Sequence, residues 1–242
     1  MKHVAQEQIE LFGRLLRSTG TTVSEREQAT LVSYLDAIIE SNLSLNLTRI
    51  SDPEAGVRLH LLDSLMAAPE VLEAPAGPLV DIGTGGGFPG VPLCVACRRH
   101  GILLDSVGKK ARAVNTVLDG LGLGEAVQAV HERAEDHARH SGAFYAVVTA
   151  RAVAELPALV ELASPLLVVG GRLVALKGAP DDLELSRGRK AAELVGMREV
   201  SVRHEVLSGG TEKRCFVVYE RQGAASALLP RKPGEAQRSP LA

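Results

Sequence analysis

Gly83, Thr84, Gly85, Gly86, Gly87, Phe88, Pro89 and Gly90 form the run with the clearest chemical potential in the chain. Glycines at 83, 85 and 87 tolerate positive φ and leave no Cβ between main chain and ligand. Leu79-Val80-Asp81-Ile82, just before them and behind Pro78, is apolar and β-branched, so a buried strand runs into the turn. Pro89 suits the first position of a following helix, where a missing N–H costs nothing. Strand, glycine turn and helix N-terminus together make a nucleotide-binding corner.

Two cofactor classes fit that corner. Gly83-x-Gly85-x-Gly87 suits an S-adenosylmethionine enzyme, with the methionine part and ribose over the loop. Gly85-x-Gly87-x-x-Gly90 also satisfies the dinucleotide fingerprint of an NAD- or FAD-linked oxidoreductase. Asp81 at the strand end could receive an amino-acid ammonium, whereas a pyrophosphate prefers a loop free of carboxylates. Asp105 ends the next strand, Ile102–Asp105, where a carboxylate could grip ribose hydroxyls. Both cofactors carry a ribose, so Asp105 supports the fold rather than the choice.

The choice rests on the far end of the chain. Glu199–Val206 and Arg214–Glu220 read as strands, with only Leu207–Lys213 between them. That connection is too short for a crossover helix, so the two strands must be antiparallel. Upstream, strands at 79–82, 102–105, 126–130, 144–149 and 172–177 alternate with helical patterns, which predicts a parallel sheet. A Rossmann-like, mostly parallel α/β sheet closed by an antiparallel C-terminal hairpin is the common ending of class I S-adenosylmethionine-dependent methyltransferases, and it favours methyl transfer. A dinucleotide domain has no such requirement.

Three regions follow. Residues 1–68 read as a helical extension, 69–220 as the methyltransferase core and 221–242 as a flexible, mildly basic tail. In the extension, Val4, Ile9, Leu11, Phe12, Leu15 and Leu16 have helical spacing, with Gly20 as a stop. Ser24-Glu25-Arg26-Glu27 reads as a capping box for a second helix. Residues 41–49 break its pattern, and Asp52-Pro53 starts another helix. Asn46, Thr48, His60, Asp63 and Ser64 are polar residues near these apolar faces. Capping and the wall of a cleft are both open readings for them.

Composition limits the partners. The chain has 242 residues, is 45% hydrophobic and carries a net charge of −2. It is no bulk polycation, so any nucleic-acid contact must come from a local patch. Arg98, Arg99, Lys109, Lys110 and Arg112 form the most credible patch for RNA phosphate; no DNA partner is expected. Three cysteines, no signal-like start and no long apolar run predict a soluble cytoplasmic protein without a membrane partner. Cys94 and Cys97 form a C-x-x-C inside a helix with only one other thiol, which favours packing over metal. His131, His137 and His140 suggest a polar helix surface, and no metal site is expected.

The motifs in order bring a family into view. They are Asn46-Leu47-Thr48, His60-Leu61-Leu62-Asp63-Ser64, Asp81 to Gly90, Leu104 to Lys110, Arg133-Ala134-Glu135, Ala150-Arg151-Ala152, Ala175 to Gly178 and Pro230 to Gly234. From about residue 30 onward the chain resembles the ribosomal RNA small subunit methyltransferase G (GidB) family. The resemblance implies N7 methylation of one guanine in 16S rRNA of the small ribosomal subunit, with S-adenosylmethionine as donor and S-adenosylhomocysteine as product. It also implies that Gly83, Gly85 and Phe88 line the cofactor loop and that Asp105 holds the ribose. Ala134 and Glu135 would meet the adenine through backbone and side chain, and Arg151 would reach the methionine end or the substrate. Gly86 is a departure, since many relatives carry Pro there, and it implies a looser loop.

The chemistry agrees with the absence of an obvious base. Guanine N7 has an in-plane lone pair and no proton at neutral pH, and the donor methyl is already activated. Alignment alone can contribute about 7–11 kcal/mol in favourable cases. Arg151 and Lys177, at strand ends on the ligand side, could hold the guanine O6 edge or a phosphate. No catalytic residue is assigned. A non-catalytic RNA-binding module on the same scaffold is the third reading.

Overall fold

A computed structural model describes residues 2–242 except 18, 20, 46, 49, 51, 225 and 227, with backbone alone at 2–5 and 43–45. The expected stop at Gly20, the Val4 side chain, Asn46 and Arg49 lie outside the described residues.

Seven strands form one sheet in the order β3-β2-β1-β4-β5-β7-β6. They are β1 (Leu79–Ile82), β2 (Gly101–Asp105), β3 (Val127–His131), β4 (Tyr145–Arg151), β5 (Leu167–Lys177), β6 (Met197–Val206) and β7 (Lys213–Arg221). β1 to β5 pair in parallel. β7 lies antiparallel between β5 and β6, as the short Leu207–Glu212 connection requires.

The helices cover both faces. On one lie α1 (Lys2–Leu16), α2 (Glu25–Leu45), α3 (Pro53–Gly56), α4 (Asp63–Leu65), α5 (Ala68–Leu72), α6 (Gly90–Cys97) and α7 (Gly108–Gly120). On the other lie α8 (Ala134–Ser141), α9 (Leu156–Ala163), α10 (Asp182–Leu194) and α11 (Glu235–Arg238). Tyr34, Leu35 and Ile38 of α2 share one buried core with Val91 of α6 and Leu118 of α7. The N-terminal helices are therefore packed as part of the sheet's cover.

Local signals explain the helix starts. Ser24 and Glu27 exchange hydrogen bonds as a capping box. Asp52 accepts from Ala55 N–H at 2.7 Å, with Pro53 at the first position. Between α3 and α4 the chain makes a π-helical turn, Val57–Leu62. π-turns are rare and cluster at functional sites.

Several expectations need correction. α2 does not break at residue 41 but runs to Leu45, and Asn42 Oδ1 then accepts from Thr48 N–H. Pro89 caps α6 rather than opening it; the first helical residue is Gly90. The expected flexible tail is ordered against α8 and α9. Arg231 forms a two-pronged ion pair with buried Glu161, and Gly234 N–H donates to Glu135. Arg231 is thus engaged inside the molecule, while Lys232 and Arg238 stay exposed. No helix among the described residues is long and apolar enough to cross a membrane.

Candidate cofactor and substrate site

The strand order reverses at β1, which has β2 on one side and β4 on the other. Ligands bind open α/β sheets in the crevice beyond the carboxyl ends of such strands. The glycine turn follows β1 into that crevice, and Arg151 is the last residue of β4.

Gly83, Gly85 and Gly87 adopt φ of 69°, 58° and 86°. A Cβ on Gly83 would lie 2.7 Å from Val153 Cγ2, and one on Gly87 would lie 2.0 Å from the Tyr34 hydroxyl. Gly85 is open by comparison: its nearest neighbour would be Leu47 O at 3.6 Å. Tyr34 donates to Gly86 O at 2.9 Å, so the turn is pinned from α2 rather than loose at Gly86.

Two hollows flank the turn. A cavity of about 740 Å³ has Gly85, Phe88, Arg151 and Lys177 in its wall. A recess of about 80 Å³ lies between Gly83, Leu104, Ala134, Glu135 and Gln237. Asp105 ties the turn to the start of α7. Its carboxylate accepts from Gly85 N–H at 3.0 Å and from Val107 N–H at 2.8 Å. Each oxygen keeps a further lone pair for a ribose hydroxyl. Both hollows therefore border the glycine turn, to which Asp105 is hydrogen-bonded.

The polar wall of the larger cavity is a single network. Asp63, only 3% exposed, accepts from Arg151 at 2.7 Å on one oxygen and from Arg214 on the other. Arg151 also donates to Leu59 O and to His60 Nδ1, each at 3.2 Å. His60 Nε2 lies 2.6 Å from Thr48 Oγ1. Burial, aided by the Arg151 charge, pushes the His60 imidazole down to about 3, so the ring is neutral. Its flat face stacks on Phe88, and the edge of Tyr34 closes the other contact of that ring. The π-turn places His60 and Leu59 O on this wall, just ahead of Asp63.

Thr48, His60 and Asp63 therefore belong to the cleft wall, whereas Ser64 merely back-bonds to His60 O. Arg214 escaped sequence reading. The available signal was β7 pairing, which sets Cys215 opposite Lys177 at the ligand-side end of β5. Lys177 lines the cavity with its ammonium occupied, donating to Ala154 O at 2.9 Å and pairing with Glu184 at 2.8 Å.

Other candidates are placed elsewhere. Asp81 is fully buried and receives no external ammonium. It accepts from Thr149 at 2.7 Å and Gly90 N–H at 3.2 Å, and burial raises its carboxyl to about 6. Glu135 presents its carboxylate to Gly234 N–H at 2.6 Å, which redirects the side chain expected at an adenine. Arg99 leaves the proposed phosphate patch, since it donates to the carbonyls of Val71, Ala74, Pro75 and Gly77. Cys94 is buried and unpaired. Among the described residues no group of His, Cys, Asp or Glu has metal-site geometry.

Strand order, glycine turn at the reversal and a ribose-competent carboxylate define a class I methyltransferase. The solved antibiotic-resistance methyltransferase Kmr shares the fold, with TM-score 0.51 and 20% identity over 64% of this chain and 92% of its own. Fibrillarin from Aeropyrum pernix, solved with natively bound S-adenosylmethionine, gives 0.50 and 15% over 65% and 76%. Sequence comparison goes further. The family described as rRNA small subunit methyltransferase G (GidB) matches residues 27–213. Ribosomal RNA small subunit methyltransferases G from Chloroflexus aggregans and Desulfitobacterium hafniense are 41% and 37% identical, over 92% and 96% of this chain and 93% and 97% of theirs. The chain belongs to this family and is an S-adenosylmethionine-dependent rRNA methyltransferase. The oxidoreductase alternative falls with that finding.

Proposed function

We propose that the enzyme transfers a methyl group from S-adenosylmethionine to N7 of one guanine in 16S rRNA of the small ribosomal subunit, in the cytoplasm and without a DNA substrate. One observation carries the atom assignment: each titratable side chain in the wall of the larger cavity is already engaged. Asp63 is clamped by two arginines, His60 uses both ring nitrogens, and Lys177 is ion-paired. None is offered to an incoming nucleophile as an unengaged base. Guanine N7 has no proton to lose, so an aligned lone pair suffices, whereas an exocyclic amine or a hydroxyl needs a base.

In this reading Gly83, Gly85, Phe88 and Asp105 hold the donor, with Ala134 and Glu135 bordering the adenine recess. The bound donor supplies an activated methyl on a cationic sulfur. Arg151 and Lys177 face the substrate from the ends of β4 and β5, and Arg151 is held rigid by Asp63. Alignment in a fixed cavity is then the main catalytic contribution. A target base within structured RNA must be exposed or flipped to enter.

The test is transfer of labelled methyl to small-subunit rRNA, followed by chemical cleavage at 7-methylguanosine. A single cleavage in 16S rRNA is expected. Label on a pyrimidine, an exocyclic amine or a ribose would overturn the atom assignment.

A further inference from the structure

We infer that the Thr48 hydroxyl is a fixed hydrogen-bond donor that reads O6 of the target guanine, aimed by a relay running from Asp63 through Arg151 and His60. The inference rests on the guanine-N7 reading and adds a specificity residue to it.

The direction of every proton in the relay follows from elementary rules. A guanidinium only donates. Asp63 Oδ2 takes one Arg151 hydrogen bond at 2.7 Å, and His60 Nδ1 takes another at 3.2 Å. His60 Nδ1 must then carry the lone pair. In the neutral ring the proton sits on Nε2 and points at Thr48 Oγ1, 2.6 Å away. Ile50 N–H donates to the same oxygen at 3.0 Å. A hydroxyl has two acceptor lone pairs and one proton. Both lone pairs are now filled, and no described residue accepts the proton. Thr48 lines the larger cavity beside Gly85, Phe88 and Arg151, so the remaining O–H serves whatever enters there.

That forced donor discriminates between purines. On the edge that carries N7, guanine presents two acceptors, N7 and O6, whereas adenine presents N7 and an N6 amine donor. N7 must keep its lone pair for the methyl, which leaves O6 as the acceptor. Adenine would set donor against donor and leave both unpaired, the arrangement that rejects an analogue most strongly. The neutrality of His60 protects this polarity through the physiological range.

The test pairs two variants with two substrates. Thr48→Val keeps the shape and removes the donor. It also leaves His60 Nε2–H and Ile50 N–H without their acceptor, a loss common to both substrates that does not alter the ratio between them. Thr48→Ser keeps the hydroxyl and all three hydrogen bonds. Each is assayed on RNA with guanine, or with 2-aminopurine, at the methylated position. 2-Aminopurine keeps N7 and lacks O6. Wild type is expected to prefer guanine about 10- to 100-fold in kcat/KM, the range for one lost hydrogen bond to a fixed partner. Beyond the loss common to both substrates, Thr48→Val is expected to lose about that factor on guanine alone, which collapses the preference towards unity. Thr48→Ser is expected to retain it, and a cooperative thermal unfolding transition in each variant is the check on folding. A Thr48→Val enzyme that keeps the wild-type preference overturns the inference, as does a wild type with no preference, and in both cases guanine-N7 methylation itself stands. Absence of any 7-methylguanosine from the wild-type reaction removes both readings.

Discussion

His60 lies flat against Phe88, with ring centroids 4.5 Å apart and planes within 7°. The contact joins the π-turn of the N-terminal helices to the glycine turn after β1. Arg151 approaches the same Phe88 ring at 6.0 Å from its centroid while bonding the edge of His60. The glycine turn and the polar cavity wall are therefore packed against each other through Phe88, His60 and Arg151.

The stack has a pH signature. His60 is held neutral to about pH 3, chiefly by burial and then by the Arg151 charge. The unfolded chain takes up this proton near pH 6.5, so its contribution to stability is full above that value. It is lost as pH falls towards 3, at up to about 1.4 kcal/mol per pH unit. His60→Phe keeps a ring for the stack and removes the titration. Urea midpoints measured from pH 7 to pH 4 should fall less steeply in the variant. Parallel curves would show that His60 is not the buried neutral group described.

Asp63 should behave as a shared counter-ion. Asp63→Asn leaves Arg151 and Arg214 facing each other with no negative charge between them. Breaking a buried pair from one side costs about 3–5 kcal/mol. Adding Arg214→Met removes one of the stranded cations and should recover part of the loss. The measurement is a double-mutant cycle on unfolding free energy, with a coupling above about 0.5 kcal/mol expected. Strict additivity would mean that the two residues do not act on each other.

The glycine turn offers a contrast within five residues. Gly87→Ala would drive a methyl to 2.0 Å from the Tyr34 hydroxyl at a φ of 86°. Gly85→Ala meets only Leu47 O at 3.6 Å, so its cost to the fold is the left-handed backbone, about 1–2 kcal/mol. Thermal denaturation should therefore rank Gly87→Ala well below Gly85→Ala. Calorimetry with S-adenosylhomocysteine should show that Gly85→Ala, though folded, has lost affinity, because Gly85 is in the wall of the larger cavity. Equal affinity for wild type and Gly85→Ala would remove Gly85 from the donor site.

These contrasts show why parts of the site were legible in the sequence and parts were not. The turn announces itself because positive φ and close backbone approach demand glycine locally, and the hairpin does so because seven residues cannot cross a sheet. Asp105 is singled out by its place at a strand end, and its carboxylate does reach the turn at Gly85 N–H. Asp81 has the same local signature and a different fate, because its surroundings are set by Thr149 of β4, 68 positions away. Thr48, His60 and Asp63 look like ordinary helix-cap and core polarity until the π-turn brings them to Arg151. Arg214 and the docked C-terminal segment depend on tertiary pairing alone, and no local pattern carries that information.

The docked segment gives the sharpest test of that last point. Glu161 is 2% exposed in α9, and its only described ion-pair partner is Arg231, with a second contact at 2.7 Å. Arg231→Met strands a buried carboxylate and should cost about 3–5 kcal/mol, whereas Glu161→Met with Arg231→Met removes both charges and should come close to neutral. The same segment sets Gly234 N–H on Glu135 beside the recess between Gly83 and Ala134. A freely solvated tail would make both variants indistinguishable from wild type in unfolding experiments. An ordered one makes the single substitution severe and the double mild, and places any change in S-adenosylhomocysteine affinity with the single variant.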